Sequence, residues 1–210
     1  MSVTKTAVSK TPTSSDVSQS DTKAHLLATG YQLIAQKGFT AVGIKQILDS
    51  AGVPKGSFYH YFASKEAFGE AIIHHYFTNY KKRLETINAQ DVSAQQKLYD
   101  YFQNWYDTQQ NGCDYEKCLV VKLSAEVADL SEPMRKVLYA GYRQTITWLA
   151  DQIKAGWADN SVPPLDNIAA ESMAKRWYFA WLGASLIAKI SQTNTPLAEV
   201  WQMTTTEMGR

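Results

Sequence analysis

GFTAVGIKQILDSAGVPKGSFYHYFASKEAF, residues 38–68, is the stretch on which the fold turns. Ile44, Ile47 and Leu48 fall on one face of a short helix running from about Gly43 to Ala51. Gly52-Val53 then predicts a tight turn. Ala51 is small enough to let two helices approach, Gly52 tolerates a left-handed backbone, and Val53 plugs the gap between them. Pro54, with its fixed φ, suits the first position of a third helix, KGSFYHYF, barely two turns long. Phe58 and Phe62 anchor that helix, leaving Lys55, Ser57, Tyr59 and His60 outward. Ser64 caps a fourth helix that begins with Lys65, Glu66 and Phe68 and extends to about Ile87.

Working toward the amino terminus, Leu27, Tyr31, Ile34 and Ala35 recur at helical spacing between an Asp21 N-cap and a stop at Lys37-Gly38. Residues 1–20 are poor in bulky apolar side chains and are expected to form a disordered tail. Toward the carboxy terminus, helices are expected over 92–110, 117–129, 132–157, 166–191 and 196–207, with Pro163-Pro164 separating two of them. No stretch alternates with a period of two, so the class is all-α.

The chain has 210 residues, 45% of them hydrophobic, enough for a packed core and too many for a disordered protein. Its net charge is only +1, but the distribution is uneven. Residues 1–65 hold seven lysines against three aspartates, a surplus of four, so the remainder sums to −3. A basic front on a mildly acidic body suits a head that meets a polyanion. Two cysteines cannot frame a chain of this size, and no apolar run is long enough to span a bilayer. The first 20 residues lack the apolar core of a secretion signal, so the expected setting is cytoplasmic, with no membrane partner.

Helix, glycine turn and short helix is the geometry that sets a recognition helix in the major groove. The amino-terminal N–H groups of the third helix suit phosphate, and Lys65 adds a phosphate-directed charge. Residues 1–65 contain no arginine, so reading of guanine falls to Lys55, with Ser57 and Tyr59 left for other base edges. Catalysis finds little support. His74-His75 point to different sides of one helix, a poor metal pair, and Glu126 with Asp129 reads as a solvated face. Neither a metal nor a cofactor is implied.

In the body, residues 177–188, WYFAWLGASLIA, are apolar on nearly every face except Ser185. Such a helix must be buried on all sides, against its own domain and a second subunit. Trp105, Tyr106, Trp148, Trp157, Trp177, Tyr178, Phe179 and Trp181 crowd this region, as core packing or as the lining of an apolar ligand cavity. Cys118 follows a polar loop, 109–117, and opens a helix, where a thiol's pKa falls; the other reading is a buried small hydrophobe. Lys189 lies just past the apolar run, either snorkelling outward or paired with a negative group such as a Cys118 thiolate.

The quoted segment resembles the signature of TetR-family repressors, in the combination and spacing of AGV, KGSFYHYF and SKEAF. The resemblance is close over 21–68 and looser beyond. It implies a three-helix helix-turn-helix DNA-binding domain over 21–68, linked by helix 65–87 to a larger ligand-sensing and dimerisation domain over 88–210. Gly43, Lys45, Pro54, Lys55, Gly56, Ser57, Tyr59, His60 and Lys65 are then the DNA-binding residues. Many members carry Thr-Ser where this chain has Val42-Gly43, which removes a hydroxyl contact to phosphate. Helices 132–157 and 166–191 become the dimer interface of a homodimer. Two-fold symmetry implies a palindromic double-stranded operator with half-sites roughly 34–36 Å apart or at a longer spacing. CLVVKLSAEVADLSE and LGASLIAKI further resemble the N-ethylmaleimide-responsive subgroup and, in part, acrylate-responsive relatives. In these Cys118 and Lys189 belong to the effector site, whereas Cys113 has no counterpart. The implied function is repression relieved by electrophiles or oxidants. The alternative is a non-covalent aromatic or cationic inducer.

Overall fold

The structure, a computed structural model, describes residues 14–111, 119–165 and 168–210. Among these residues there are nine α-helices and no strand. They are α1 (Ser14–Lys37), α2 (Ile44–Ala51), α3 (Lys55–Tyr61), α4 (Lys65–Asn88), α5 (Ala94–Asn111), α6 (Leu119–Leu130), α7 (Glu132–Ala158), α8 (Ala170–Ser191) and α9 (Thr195–Glu207).

Local chemistry explains most of the boundaries. Gly52 ends α2 in the left-handed region (φ 64°), and its N–H donates to the Leu48 carbonyl. Ser64 and Ser131 cap α4 and α7, accepting from the N–H groups of Ala67 and Met134.

Three expectations are corrected. Asp21 lies inside α1 and caps nothing, because SSDVSQS contains no glycine or proline to stop the helix growing back to Ser14. Residues 14–20 are helical, and residues 1–13 of the expected tail lie outside the described residues. Pro54 is the N-cap of α3 rather than its first residue, since its ψ of 148° is extended. The eighth helix begins at Ala170 instead of 166, because Ala169 is extended (ψ 146°).

Two cores organise the chain. The first gathers Leu26 and Ile34 of α1, Ile47 of α2, Phe58 of α3 and Phe68, Ile72 and Ile73 of α4. It also takes in Val120, Leu123 and Val127 of α6 and Met134 and Leu138 of α7. The second surrounds Leu98, Phe102, Trp177 and Trp181 with α5, α7, α8 and α9. Helix α4 threads both, giving Phe77 to the first and Leu84 and Ile87 to the second.

Four indoles of the second core find hydrogen-bond partners, whereas the buried Trp157 Nε1 has none among the described residues. Trp181 Nε1 donates to Thr204 Oγ1 at 3.0 Å, and Trp105 Nε1 donates to Ser185 Oγ at 3.1 Å. That bond accounts for the one polar residue in the apolar run of α8. Within a single chain the run is buried on one side only. Phe179, Leu186, Ile187 and Ile190 remain about half exposed or more, along one stripe of the helix.

Candidate nucleic-acid interface and effector cavity

The two turns of α3 are too few to be stable alone, so their orientation comes from packing. Phe58 is fully buried, with ring centroids 5.3 Å from Phe62 and 5.1 Å from Phe68. Phe62 and Phe68 meet edge to face at 4.8 Å. This aromatic triad fixes the back of α3. On its front Lys55, Gly56, Tyr59 and His60 are exposed, and Ser57 is half-buried. The Lys55 ammonium lies 5.8 Å from the Tyr59 ring centroid, so the two side chains form one unit. The Ser57 N–H is taken by the Pro54 carbonyl at 3.0 Å, which subtracts it from the donors expected at this end.

Two further expected residues flank α3. Gly43 is the extended N-cap of α2, with nothing within 4 Å of where a Cβ would be, and Lys45 is exposed on the first turn. Lys65, expected to supply a phosphate-directed charge, has partners within the chain. Its ammonium donates to the Thr40 carbonyl at 3.3 Å and lies 4.6 Å above the Phe39 ring. It braces the loop that leads into α2.

Two connections in this region escaped sequence reasoning. His25 Nε2 donates to the Ala51 carbonyl at 3.0 Å and ties α1 to the end of α2. Glu126, expected on a solvated face of α6, instead accepts from the Thr40 N–H at 3.1 Å and from its hydroxyl at 3.4 Å. The close contact depends on Gly38, which has φ 88° and whose Cβ would stand 2.3 Å from Glu126 Oε1. Nothing local announces a contact between residues 86 apart in sequence.

The body contributes a cavity of about 500 Å³ where α1 meets α4 and α5. Tyr31 stacks on Tyr76 (6.4 Å), Tyr76 on Tyr80 (5.8 Å), and the Tyr80 and Tyr101 hydroxyls are hydrogen-bonded at 2.7 Å. Burial pushes the Tyr101 phenol well above its ordinary pKa, with the neighbouring phenols Tyr80 and Tyr178 adding to the shift. Tyr101 therefore stays neutral. Trp105 and Tyr178 also line the space, while Trp177 and Trp181 are core and Phe179 is exposed. The signal for this site was the pair Tyr76 and Tyr80, one helical turn apart on α4 with Arg83 just beyond.

Cys118 and Cys113 lie outside the described residues; Cys118 directly precedes Leu119, the first residue of α6. Lys189 is exposed in the last turn of α8 and does not line the cavity. Among the described residues no group of three His, Cys, Asp or Glu could hold a metal. His74 is hydrogen-bonded by Thr78 and His75 by Asn79. No helix of the described residues is long and apolar enough to cross a membrane.

Comparison with known proteins decides the lineage. Residues 26–72 match the family described as bacterial regulatory proteins, tetR family, and residues 94–204 match the tetracyclin repressor-like C-terminal domain. The chain belongs to the TetR family. It is 41% identical to the HTH-type transcriptional repressor NemR of Escherichia coli, over 84% of this chain and 88% of that protein. It is 29% identical to the repressor DhaR of a Mycobacterium species, over 83% and 86% of the two chains. The crystal structure of reduced E. coli NemR superposes with a TM-score of 0.82 at 40% identity, covering 87% of this chain and 94% of that one. As a TetR-family chain it has an amino-terminal helix-turn-helix domain and a helical carboxy-terminal domain, and it is a transcriptional regulator rather than an enzyme.

Proposed function

We propose that this chain is a homodimeric repressor that grips a palindromic operator through α3 of each subunit and releases it when an electrophile or oxidant modifies Cys118. The observation that carries the DNA half is the exposed Lys55–Tyr59 unit on a helix held from behind by three phenylalanines. Lys55 and Tyr59 read base edges, Ser57 and His60 flank them, and Gly56 and Pro54 let the backbone lie close to the duplex. Gly43 and Lys45 take phosphate from the start of α2, and Lys65 holds that start in register.

Two features support the release step. Cys118 immediately precedes α6 in the chain, and α6 shares the core of the head while its Glu126 grips Thr40. A shift of α6 therefore reaches α2 and α3 through packed side chains. In the modification the Cys118 thiolate adds to an electrophilic carbon; one C–S bond forms, and the displaced π electrons take up a proton from water. Lys189 favours the thiolate by its charge in this reading. The name of the relative NemR and its 41% identity favour the same chemistry.

The test is N-ethylmaleimide treatment of the operator complex. Wild-type and Cys113→Ser proteins should release DNA with one adduct at Cys118, and Lys189→Met should react more slowly. Cys118→Ser should bind operator normally and stay bound. Release of Cys118→Ser at the wild-type rate contradicts the mechanism. The tyrosine-lined cavity favours a second reading, induction by a non-covalent aromatic compound. Among the described residues no Asp or Glu lines the space.

A further inference from the structure

We propose that the turn between α1 and α2 is a joint through which the carboxy-terminal domain sets the position of the DNA-binding head, with Glu126 as its positioning residue. The proposal rests on the operator-binding reading above and does not depend on modification of Cys118.

The turn is docked on other elements of the chain. Phe39 is buried, and Gly69 of α4 makes room for its ring. A Cβ at Gly69 would stand 2.5 Å from Phe39 Cε2 and 2.6 Å from Met134 Cε of α7. Lys65 of α4 covers the same ring and donates to the Thr40 carbonyl. From α6, Glu126 Oε2 accepts from the Thr40 N–H at 3.1 Å and from the Thr40 hydroxyl at 3.4 Å. With its N–H and its carbonyl both engaged, Thr40 has little freedom to move independently of α4 and α6.

Gly38 shows how closely the clamp is fitted. Its φ of 88° favours glycine, and a Cβ there would stand 2.3 Å from Glu126 Oε1. The carboxylate lies so near the backbone of the turn that one methyl group would displace it.

Position gives the clamp its consequence. The turn leads into α2: Val42 is fully buried in the head's core, and Gly43 is the N-cap of α2. Helix α2 in turn meets α3 across the Gly52 corner. On the other side of the clamp, α6 belongs to the carboxy-terminal domain, and its Leu123 and Val127 pack into that same core. The placement of α2 and α3 therefore follows that of α6. Apparent affinity scales with the fraction of molecules in the binding arrangement, so freeing the turn lowers it without touching a DNA contact.

The experiment is fluorescence anisotropy of effector-free, full-length protein on its own promoter fragment. Glu126→Ala should bind about tenfold more weakly, about threefold for each of two heads, the scale of one net hydrogen bond per head. Glu126→Gln keeps an acceptor for the Thr40 N–H and should bind within about threefold of the wild type. Gly38→Ala should weaken binding at least as much as Glu126→Ala, but far less when placed on Glu126→Ala, where the group it displaces is gone. Backbone strain at Gly38 is common to both backgrounds and cancels in that comparison. Glu126 is half-buried, so circular dichroism should show unchanged helix content in both Glu126 variants. Unchanged or tighter binding by Glu126→Ala overturns the proposal, as does absence of rescue by Glu126→Gln or simple additivity in the double variant. Failure of the wild type to prefer its promoter would instead sink the operator-binding reading itself.

Discussion

Phe58→Ala is expected to destabilise the head by about 3–5 kcal/mol and to abolish operator binding. Phe58 is fully buried and is the only side chain of α3 that is, so the helix hangs on it. Truncation removes its contacts with both Phe62 and Phe68 and leaves a void that the small core around α2 and α3 cannot collapse to fill. The α3 backbone gains little from its own hydrogen bonds at seven residues, so it should fray as soon as the ring is gone. The second core does not include Phe58, and the helices it holds should persist. Circular dichroism with a salt-controlled operator titration checks both parts. Operator affinity unchanged in this variant would show that α3 is not oriented by the triad.

Ile187→Glu is expected to convert the protein to a monomer at micromolar concentration. Ile187 is 50% exposed and lies in the stripe of Phe179, Leu186 and Ile190, which winds along one side of α8. It also lines a shallow groove with Ala180, Ala184, Val200 and Met203. In a two-fold dimer this face meets its own copy, so the substitution introduces two carboxylates into one apolar contact. An unpaired buried charge costs about 3–5 kcal/mol, enough to shift a dimerisation constant by two to four orders of magnitude. The position is solvated in the single chain, so the helices should be unaffected. Light scattering after gel filtration reads the mass, and operator affinity should fall with it. A variant that stays dimeric places the subunit contact elsewhere.

Much of this was legible before any coordinates. The helix-turn-helix was readable because its signals are local: Gly52 for the left-handed turn, Ser64 for a cap, apolar positions at helical spacing for the core face. The start of α1 was misread because an aspartate that could cap a helix instead sits about two turns inside one, and nothing between Ser14 and Asp21 forbids the helix. Glu126 was misread because one acidic residue on an amphipathic helix looks the same whether water or a distant loop receives it. Lys65 was read by charge alone, whereas its ammonium is drawn to a carbonyl and a ring. The cavity depends on six helices meeting, and spacing along one chain carries no record of that.

The central claim is that α3 presents Lys55 to a base edge of a specific duplex. The direct measurement is fluorescence anisotropy of wild-type and Lys55→Ala proteins on the chain's own promoter fragment and on a shuffled duplex, across a range of salt. The account predicts that the wild type prefers the promoter and that its affinity falls steeply with salt. It also predicts that Lys55→Ala loses about 1–3 kcal/mol per half-site on the promoter, with much less change on the shuffled duplex. Equal wild-type affinity for the two sequences, or an unaltered preference in Lys55→Ala, would contradict it.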